Sequence, residues 1–361
     1  MAGQDESKKK KKGKGLPEHI ELQRTHMVCG AEMNSYTNTF TSANVFMPMG
    51  VDNAWDLGQW KEGFRIKVNK LTSEMMEVDI TGVDPAVVNA LRRILIAEVP
   101  TMAIEHVFVA NNTSIIQDEV LAHRLGMVPL LVDPAMFEYK TAEEAASEKN
   151  MLVFKLDITC KKQGDRLLNE KVFSSSLQWL PMGSEMPDET GCRFAQGQAH
   201  RFPPGGAVPQ PSPVHDNILL AKLRAGQTIQ LEAHCVKGMG KVHAKWSPVC
   251  TAWYKLLPEL VLLKEPSSEA ATLLLAAAPG LITQDASGKI EVGNAREHEQ
   301  HLEKVRVLLD TPCVAECIQL RKRKDYFIFT IESSGVLPPE VLLEQAIAIL
   351  HDKASRLAQR L

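Results

Sequence analysis

Residues 84–105 read DPAVVNALRRILIAEVPTMAIE, and both the punctuation and the apolar pattern of this stretch can be interpreted. Asp84 can accept a hydrogen bond from a free first-turn amide, Pro85 suits the first helical position because its missing N–H would go unpaired there, and Pro100 blocks continuation. The spacing predicts a helix from Pro85 to Glu98. At about 100° per residue, Val87, Val88, Leu91, Ile94 and Leu95 share one face, Asn89, Arg93 and Ile96 lie opposite, and Arg92 falls on the flank. The first face requires a sheet of this chain to cover it. The second admits two readings: a solvated side with two arginines, or a mixed surface that another chain covers, with Arg92 and Arg93 as oriented hydrogen-bond donors at its edge. Ile96 beside the arginines favours the second reading.

The end of the chain carries a related signal. Tyr326–Ile331 (YFIFTI) reads as a strand, and after Pro338 and Pro339 a helix is expected to run to Leu361, about 33 Å if continuous. On it Leu343, Ile347, Leu350, Ala354, Leu357 and Leu361 recur at spacings of 4, 3, 4, 3 and 4. That is a heptad seam. Its partner is either the protein's own core or a helix of another chain, and a narrow seam kept to the last residue favours the latter.

Working outward, residues 17–60 are irregular and rich in Asn, Thr and Met, ending in VDNAWDLGQW, which reads as an extended arm or edge. Phe64–Leu71 and Met75–Ile80 form a predicted hairpin feeding the helix. From Met102 a strand, AIEHVFVAN, leads to a short helix over Gln117–Leu125 closed by Gly126. Further strands are expected at Leu152–Thr159, Ile218–Leu223, Thr228–Val236 and Val249–Leu256, and the Pro- and Gly-dense stretch Pro181–Pro213 reads as a long surface loop. Ala270–Lys324 makes a third region of mixed pattern, bounded by Pro258, Pro266 and the basic run Arg321–Lys324 (RKRK). There is no internal repeat.

A chain of 361 residues with 44% hydrophobic and 24% charged residues has room for two or three cores. Its formal charge is −3, yet residues 1–15 hold six lysines against Asp5 and Glu6, a local +4, so the rest carries −7. The body therefore lacks the concentrated positive face of a duplex-binding domain. The tail itself (SKKKKKGKG, Ser7–Gly15) has nothing apolar to bury and reads as disordered, serving as a nuclear-import signal, an electrostatic arm or a solubilising end. No signal-peptide pattern precedes it and the longest apolar run, Ala270–Ala278, is far short of the roughly 20 residues of a membrane span. The seven cysteines, odd in number and scattered, fit a reducing compartment.

Catalytic patterns fit poorly. KGMGK (Lys237–Lys241) lacks the first glycine of a phosphate loop, and Val242 stands where the magnesium-binding Ser or Thr would be. There is no Gly-x-Ser-x-Gly elbow, and no cluster of aspartates suited to a pair of magnesium ions. His298, His301, Cys313 and Cys317 are soft ligands within twenty residues, but their order matches no common zinc pattern, so surface histidines and partly buried thiols are the expected reading. Cys160, Cys192, Cys235 and Cys250 read as small core hydrophobes.

Four long blocks carry a resemblance: NALRRILIAEVPTMAIEHV from Asn89, NNTSIIQDEVLAHRLGMVPL from Asn111, DNILLAKLRAGQTIQLEAHCVKGMGKVHAKWSPV from Asp216 and DYFIFTIESSGVLPPEVL from Asp325. The chain resembles the larger alpha-like subunit shared by eukaryotic RNA polymerases I and III over nearly all of Val51–Leu350. The polymerase II counterpart carries a zinc-binding cysteine cluster soon after the segment matching GMVPL, whereas residues 127–159 here contain no cysteine. FEYKTAEE (137–144), VFKLDITC (153–160) and SSSLQWLPMG (174–183) look like the I and III form.

The resemblance implies an α+β fold: a bacterial-alpha-like discontinuous dimerisation domain (61–97 and 325–361), an inserted mixed α/β domain (98–256), and a small third region (257–324) where some relatives have a ferredoxin-like module, with the basic tail (1–16) and arm (17–60) in front. Two cysteines in the third region cannot ligate a four-iron cluster, so no cofactor is carried over. It implies a noncatalytic nuclear and nucleolar assembly subunit supporting rRNA, 5S rRNA and tRNA transcription. Its partners would be a smaller alpha-like subunit, the second-largest catalytic subunit and other subunits of both polymerases, with DNA met only through the complex and no membrane. Val87, Leu91, Ile94, Leu95, Leu343, Ile347, Leu350, Ala354 and Leu357 would face the smaller subunit. Arg92, Arg93, Lys237, Lys241, His243, Lys245 and Trp246 would contact the catalytic subunit, the alternative for the last five being an ordinary strand connection. Two other classes stand beside this reading. One is a nucleic-acid-binding regulator using the tail and RKRK; the other is a hydrolase or metalloenzyme, which would need a metal.

Overall fold

A computed structural model describes residues 16–38, 44–141, 143–164, 166–206 and 208–361; the lysine tail lies outside them. The main elements are α1 (Glu18–Thr25), β1 (His26–Cys29), β2 (Asn34–Ser35), α2 (Leu57–Gly63), β3 (Arg65–Leu71), β4 (Met75–Thr81), α3 (Pro85–Ala97), β5 (Pro100–Asn112), α4 (Asp118–Gly126), β6 (Leu152–Thr159), β7 (Gln178–Trp179), β8 (Thr228–Met239), β9 (Val249–Leu262), α5 (Ser268–Ala277), α6 (Glu299–Leu308), β10 (Ile318–Ser333) and α7 (Pro339–Ala358). Two compact units share them. The first takes the chain up to Asn69 with Val78–Val88 and Tyr254–Phe329; the second takes Lys70–Glu77, Asn89–Trp253 and Thr330–Leu361.

The punctuation around α3 acts as read. Asp84 Oδ1 accepts the Ala86 N–H at 2.8 Å, and the helix ends at Ala97, three residues before Pro100. The β3–β4 turn closes where expected, with the Thr72 N–H donating to the Met75 carbonyl at 2.8 Å.

In the first unit a sheet runs in the order β2-β1-β10-β4-β3, with β9 also pairing with β10. The arm is more regular than its composition suggests: it supplies α1, the short edge strand β2, and β1 between β2 and β10, antiparallel to β10 with His26 opposite Arg323. The third region is a helix, a hairpin (Ile282–Gln284 with Ile290–Val292) and two further helices, packed through Leu274, Leu281, Val305 and Val314 onto Ile318 and Leu320. Two expected boundaries fall inside strands, since β9 continues through Pro258 to Leu262 and β10 begins at Ile318, before RKRK.

Asp79 is buried in this unit with its carboxylate bonded to Arg296 Nη1 at 2.6 Å and to the Tyr326 hydroxyl at 2.7 Å. Burial alone would raise the carboxyl pKa, but these bonds outweigh it and hold the group below its usual range. The folded pKa thus lies under the unfolded value of about 3.9, so the stabilisation is complete at neutral pH and is lost as pH falls through the folded value. Asp79→Asn is expected to cost about 2 kcal/mol at pH 7, and thermal melts should show the gap to the parent closing below about pH 4. Equal melting temperatures at pH 7 would mean that the network contributes nothing.

In the second unit a four-stranded sheet runs in the order β7-β6-β8-β5, with β8 antiparallel to both neighbours. One face packs Leu152, Phe154 and Leu156 against α4 through Leu121 and Leu125. The stretch 181–213 is not a plain surface loop. Phe202 is fully buried in that core, while Cys192 and Phe194 pack on Val153 on the opposite face. Proline and glycine mark its turns correctly, but they carry no information about side chains folding back onto the sheet. Buried Glu232 anchors it, accepting from the Ser184 hydroxyl at 2.7 Å, the Glu185 N–H at 2.9 Å and His234 Nε2 at 3.3 Å. Burial pushes the His234 pKa down against the opposing pull of Glu232, favouring the neutral donor.

Candidate assembly surface

The face of α3 predicted for the partner is turned largely inward. Leu91, Ile94 and Leu95 are buried, as is Val88, whereas Val87 in the first turn is 43% exposed. Leu91, Ile94 and Leu95 are therefore corrected from interface to core. The wheel fixed their common direction, but not whether this chain or another covers it. The opposite side presents exposed Arg93 and Ile96. Arg92 is half-buried and turned along its own helix, its guanidinium donating to Asn89 Oδ1 at 3.1 and 2.9 Å.

The terminal seam divides the same way. Leu342, Leu343 and Ala346 are buried, so Leu343 is likewise corrected to core. Beyond them Ile347 is 45% exposed and Leu357 61% exposed, with Leu350 half-buried and Ala354 exposed between them. The chain's own core takes the first two turns of α7 and leaves the rest of the seam to solvent. An ion pair from Lys353 Nζ to Glu98 Oε1 at 2.7 Å fixes this half of α7 beside the end of α3. No sequence signal could have revealed that pair, since the two residues are 255 positions apart.

The KGMGKVHAKW segment completes the corner. A Cβ on Gly240 would lie 2.1 Å from the Ile96 carbonyl oxygen, and one on Gly238 would lie 2.4 Å from the Trp246 indole, so these glycines permit close backbone approach. The Lys241 N–H donates to the Ala97 carbonyl at 2.8 Å, tying the tip of the β8 extension to the end of α3. Trp246 is corrected from surface contact to anchor: it is buried, donates from Nε1 to the Val236 carbonyl at 3.1 Å, and its own carbonyl accepts from Thr101 Oγ1 at 2.9 Å. Lys245 is used internally, with Nζ on the Ile104 carbonyl at 2.7 Å and on Glu105, 4.5 Å above the Trp246 ring. Lys237 donates to the Phe137 carbonyl at 2.9 Å, and burial lowers its pKa. What remains exposed at the tip is Lys241, Val242, His243 and Ala244. Val242 enters the sequence reading only as a break in the phosphate-loop pattern, and a single exposed apolar residue carries no further signal.

The basic run offers no matching surface. Arg321–Lys324 lies within β10, where Arg321 Nε bonds Gln319 at 2.6 Å and Arg323 forks onto Asp325 at 3.1 and 3.0 Å. Lys324 is buried with Nζ on the Gln23 and Asn38 carbonyls at 2.6 and 2.5 Å. Among the described residues no three His, Cys, Asp or Glu side chains are placed to hold a metal ion, and no helix is long and apolar enough to cross a membrane. All seven cysteines are free; Cys160, Cys192 and Cys235 are buried as expected, but Cys250 is exposed.

The chain is α+β, with α3 and the start of α7 packed inward and the rest of the α7 seam exposed. The RNA polymerase Rpb3/Rpb11 dimerisation domain matches residues 77–354, and the chain belongs to this family. Among its relatives, the DNA-directed RNA polymerases I and III subunit RPAC1 of Homo sapiens is 41% identical over 359 residues, covering 95% of this chain and 96% of the relative. The subunit of the same name from Saccharomyces cerevisiae is 33% identical over 346 residues, covering 91% and 97%. The polymerase II subunit rpb3 of Dictyostelium discoideum stands further off, at 28% over 312 residues, covering 80% of this chain and 91% of the relative.

Proposed function

We propose that this chain is the larger alpha-like assembly subunit of nuclear RNA polymerases I and III, noncatalytic on its own. It pairs with a smaller alpha-like subunit through Ile347, Leu350, Ala354 and Leu357, and carries the second-largest catalytic subunit near Arg93, Lys241 and His243. The observation supporting this most directly is the seam on α7, which runs off the chain's own core while keeping its apolar period. A helix laid along it removes apolar area from water at about 25 cal/mol per Å². Arg93 and the hairpin tip then orient what docks beside the pair. That its relatives are subunits of polymerases I and III supports a nuclear location.

The test is to identify what copurifies with the chain. Mass spectrometry is expected to find one smaller alpha-like subunit in equal amount together with the large subunits of both polymerases, and the pair should melt well above either chain alone. A stable solitary monomer, unchanged in melting temperature when the smaller subunit is added, would exclude the reading.

A further inference from the structure

The stretch ending in VDNAWDLGQW belongs to the first unit, whereas the residues of the proposed assembly surface belong to the second, and it forms a groove of ≈ 650 Å³ with α1. Trp55, which is 72% exposed, and Trp60 supply aromatic wall, and Trp60 is held by stacking on Phe64 at a centroid distance of 4.8 Å. Asp52 and Asp56 also line the groove. Each commits one oxygen locally, Asp52 Oδ1 to the Ala54 N–H at 2.9 Å and Asp56 Oδ1 to the Gln59 N–H at 2.8 Å. Their second oxygens accept no hydrogen bond among the described residues. Glu21, at one end, is neutralised by Arg24, whose Nε lies 3.0 Å from Oε2. Two uncompensated carboxylates beside an open indole suit an alkylammonium: the carboxylates meet the charge, and the indole face takes the polarised methylenes.

The covalent path selects the occupant. Leu16 is itself in the groove wall, and six lysines lie within the eight residues immediately before it. At no more than about 3.6 Å per residue, all of them fall within about 30 Å of Leu16 along the chain. So short a tether gives an effective concentration in the millimolar range, enough for individually weak lysine contacts to be populated, with each lysine replacing another. We propose that this groove is an intramolecular dock for the lysine run, Lys8–Lys12 and Lys14, holding one or two of its side chains at a time. The positive charge of the tail is then offered first to the chain's own body, and a nucleic acid must compete with the dock to reach it.

The test is limited trypsin digestion of the full chain in the complex with which it copurifies, following cleavage within residues 8–14 by mass spectrometry at low salt. A variant carrying Asp52→Asn, Asp56→Asn and Trp55→Ala keeps the local amide acceptors and alters only exposed side chains. The variant is expected to be cut about fivefold faster than the parent, and the parent should reach the variant's rate at about 0.5 M salt, where the charge attraction is screened. Equal rates at low salt overturn the proposal. In a second arm, a synthetic SKKKKKGKG peptide is added to complexes with and without residues 1–15. Binding confined to the shortened chain supports an occupied dock; equal binding to both, or binding to neither, overturns it.

Discussion

A chain carrying Ile347→Asp and Leu357→Asp should lose pairing with the smaller alpha-like subunit by at least about 100-fold, while retaining its own fold. Both side chains are exposed in the single chain, Ile347 by 45% and Leu357 by 61%, so the carboxylates can reach water there and cost little. Against a partner helix each would be buried unpaired, and a loss of about 2.8 kcal/mol, the equivalent of 100-fold, is modest for two such charges. The nearby Lys353 is already committed to Glu98 and offers no ready rescue. Coexpression followed by gel filtration measures the outcome, with circular dichroism as the check on folding. Leu343→Asp is the informative contrast, because Leu343 is buried and its substitution should damage the chain before any pairing is attempted. A heterodimer yield equal to wild type from the double variant would remove the seam from the interface.

Trp246→Ala should be the most damaging single truncation at the corner between α3 and the tip of β8. Removing a buried tryptophan costs about 3–5 kcal/mol. Here it would also strand the Val236 carbonyl and empty the space against which Gly238 is packed. At roughly 2–4 °C per kcal/mol, the melting temperature of the purified complex should fall by about 10 °C. Lys241→Ala and His243→Ala, on the exposed tip, should each move it by less than about 1 °C and act instead on retention of the catalytic subunit. If Trp246→Ala melted like the parent, the anchoring role would be wrong. If the two tip variants retained the catalytic subunit fully, the proposed contact would lie elsewhere.

The contrast between these residues shows what was legible in the sequence. Local rules worked where the deciding partners are local: Asp84 and Pro85 start α3, Leu152–Thr159 is a strand as expected, and the heptad spacing on α7 continues past the core. They failed where a distant segment decides. Pro258 and RKRK looked like boundaries, but β9 and β10 run through them because neighbouring strands hold their backbone in place. Trp246 and Lys245 were expected at the catalytic-subunit contact from the family resemblance, yet their side chains are used inside the chain. Lys245 finds its partner at Ile104, 141 positions away in β5, and the Trp246 indole folds back onto Val236 near the end of the preceding strand. Periodicity placed Val87 with Leu91, yet only Leu91 found cover within the chain. A sequence shows which direction an apolar side chain points sooner than it shows which polypeptide receives it.

The buried ammonium of Lys324 has a practical implication for where this protein can be cut. Its acceptors are the carbonyls of Gln23, in α1, and Asn38, shortly after β2, while the lysine sits in the central strand of the sheet. A truncation that starts the polypeptide at residue 44 would remove β1 and β2 from the sheet and also deprive an internal cation of two oxygen ligands. The residues on both sides of β1 and β2 thus support the sheet from within, and a minimal folding unit has to begin before Gln23.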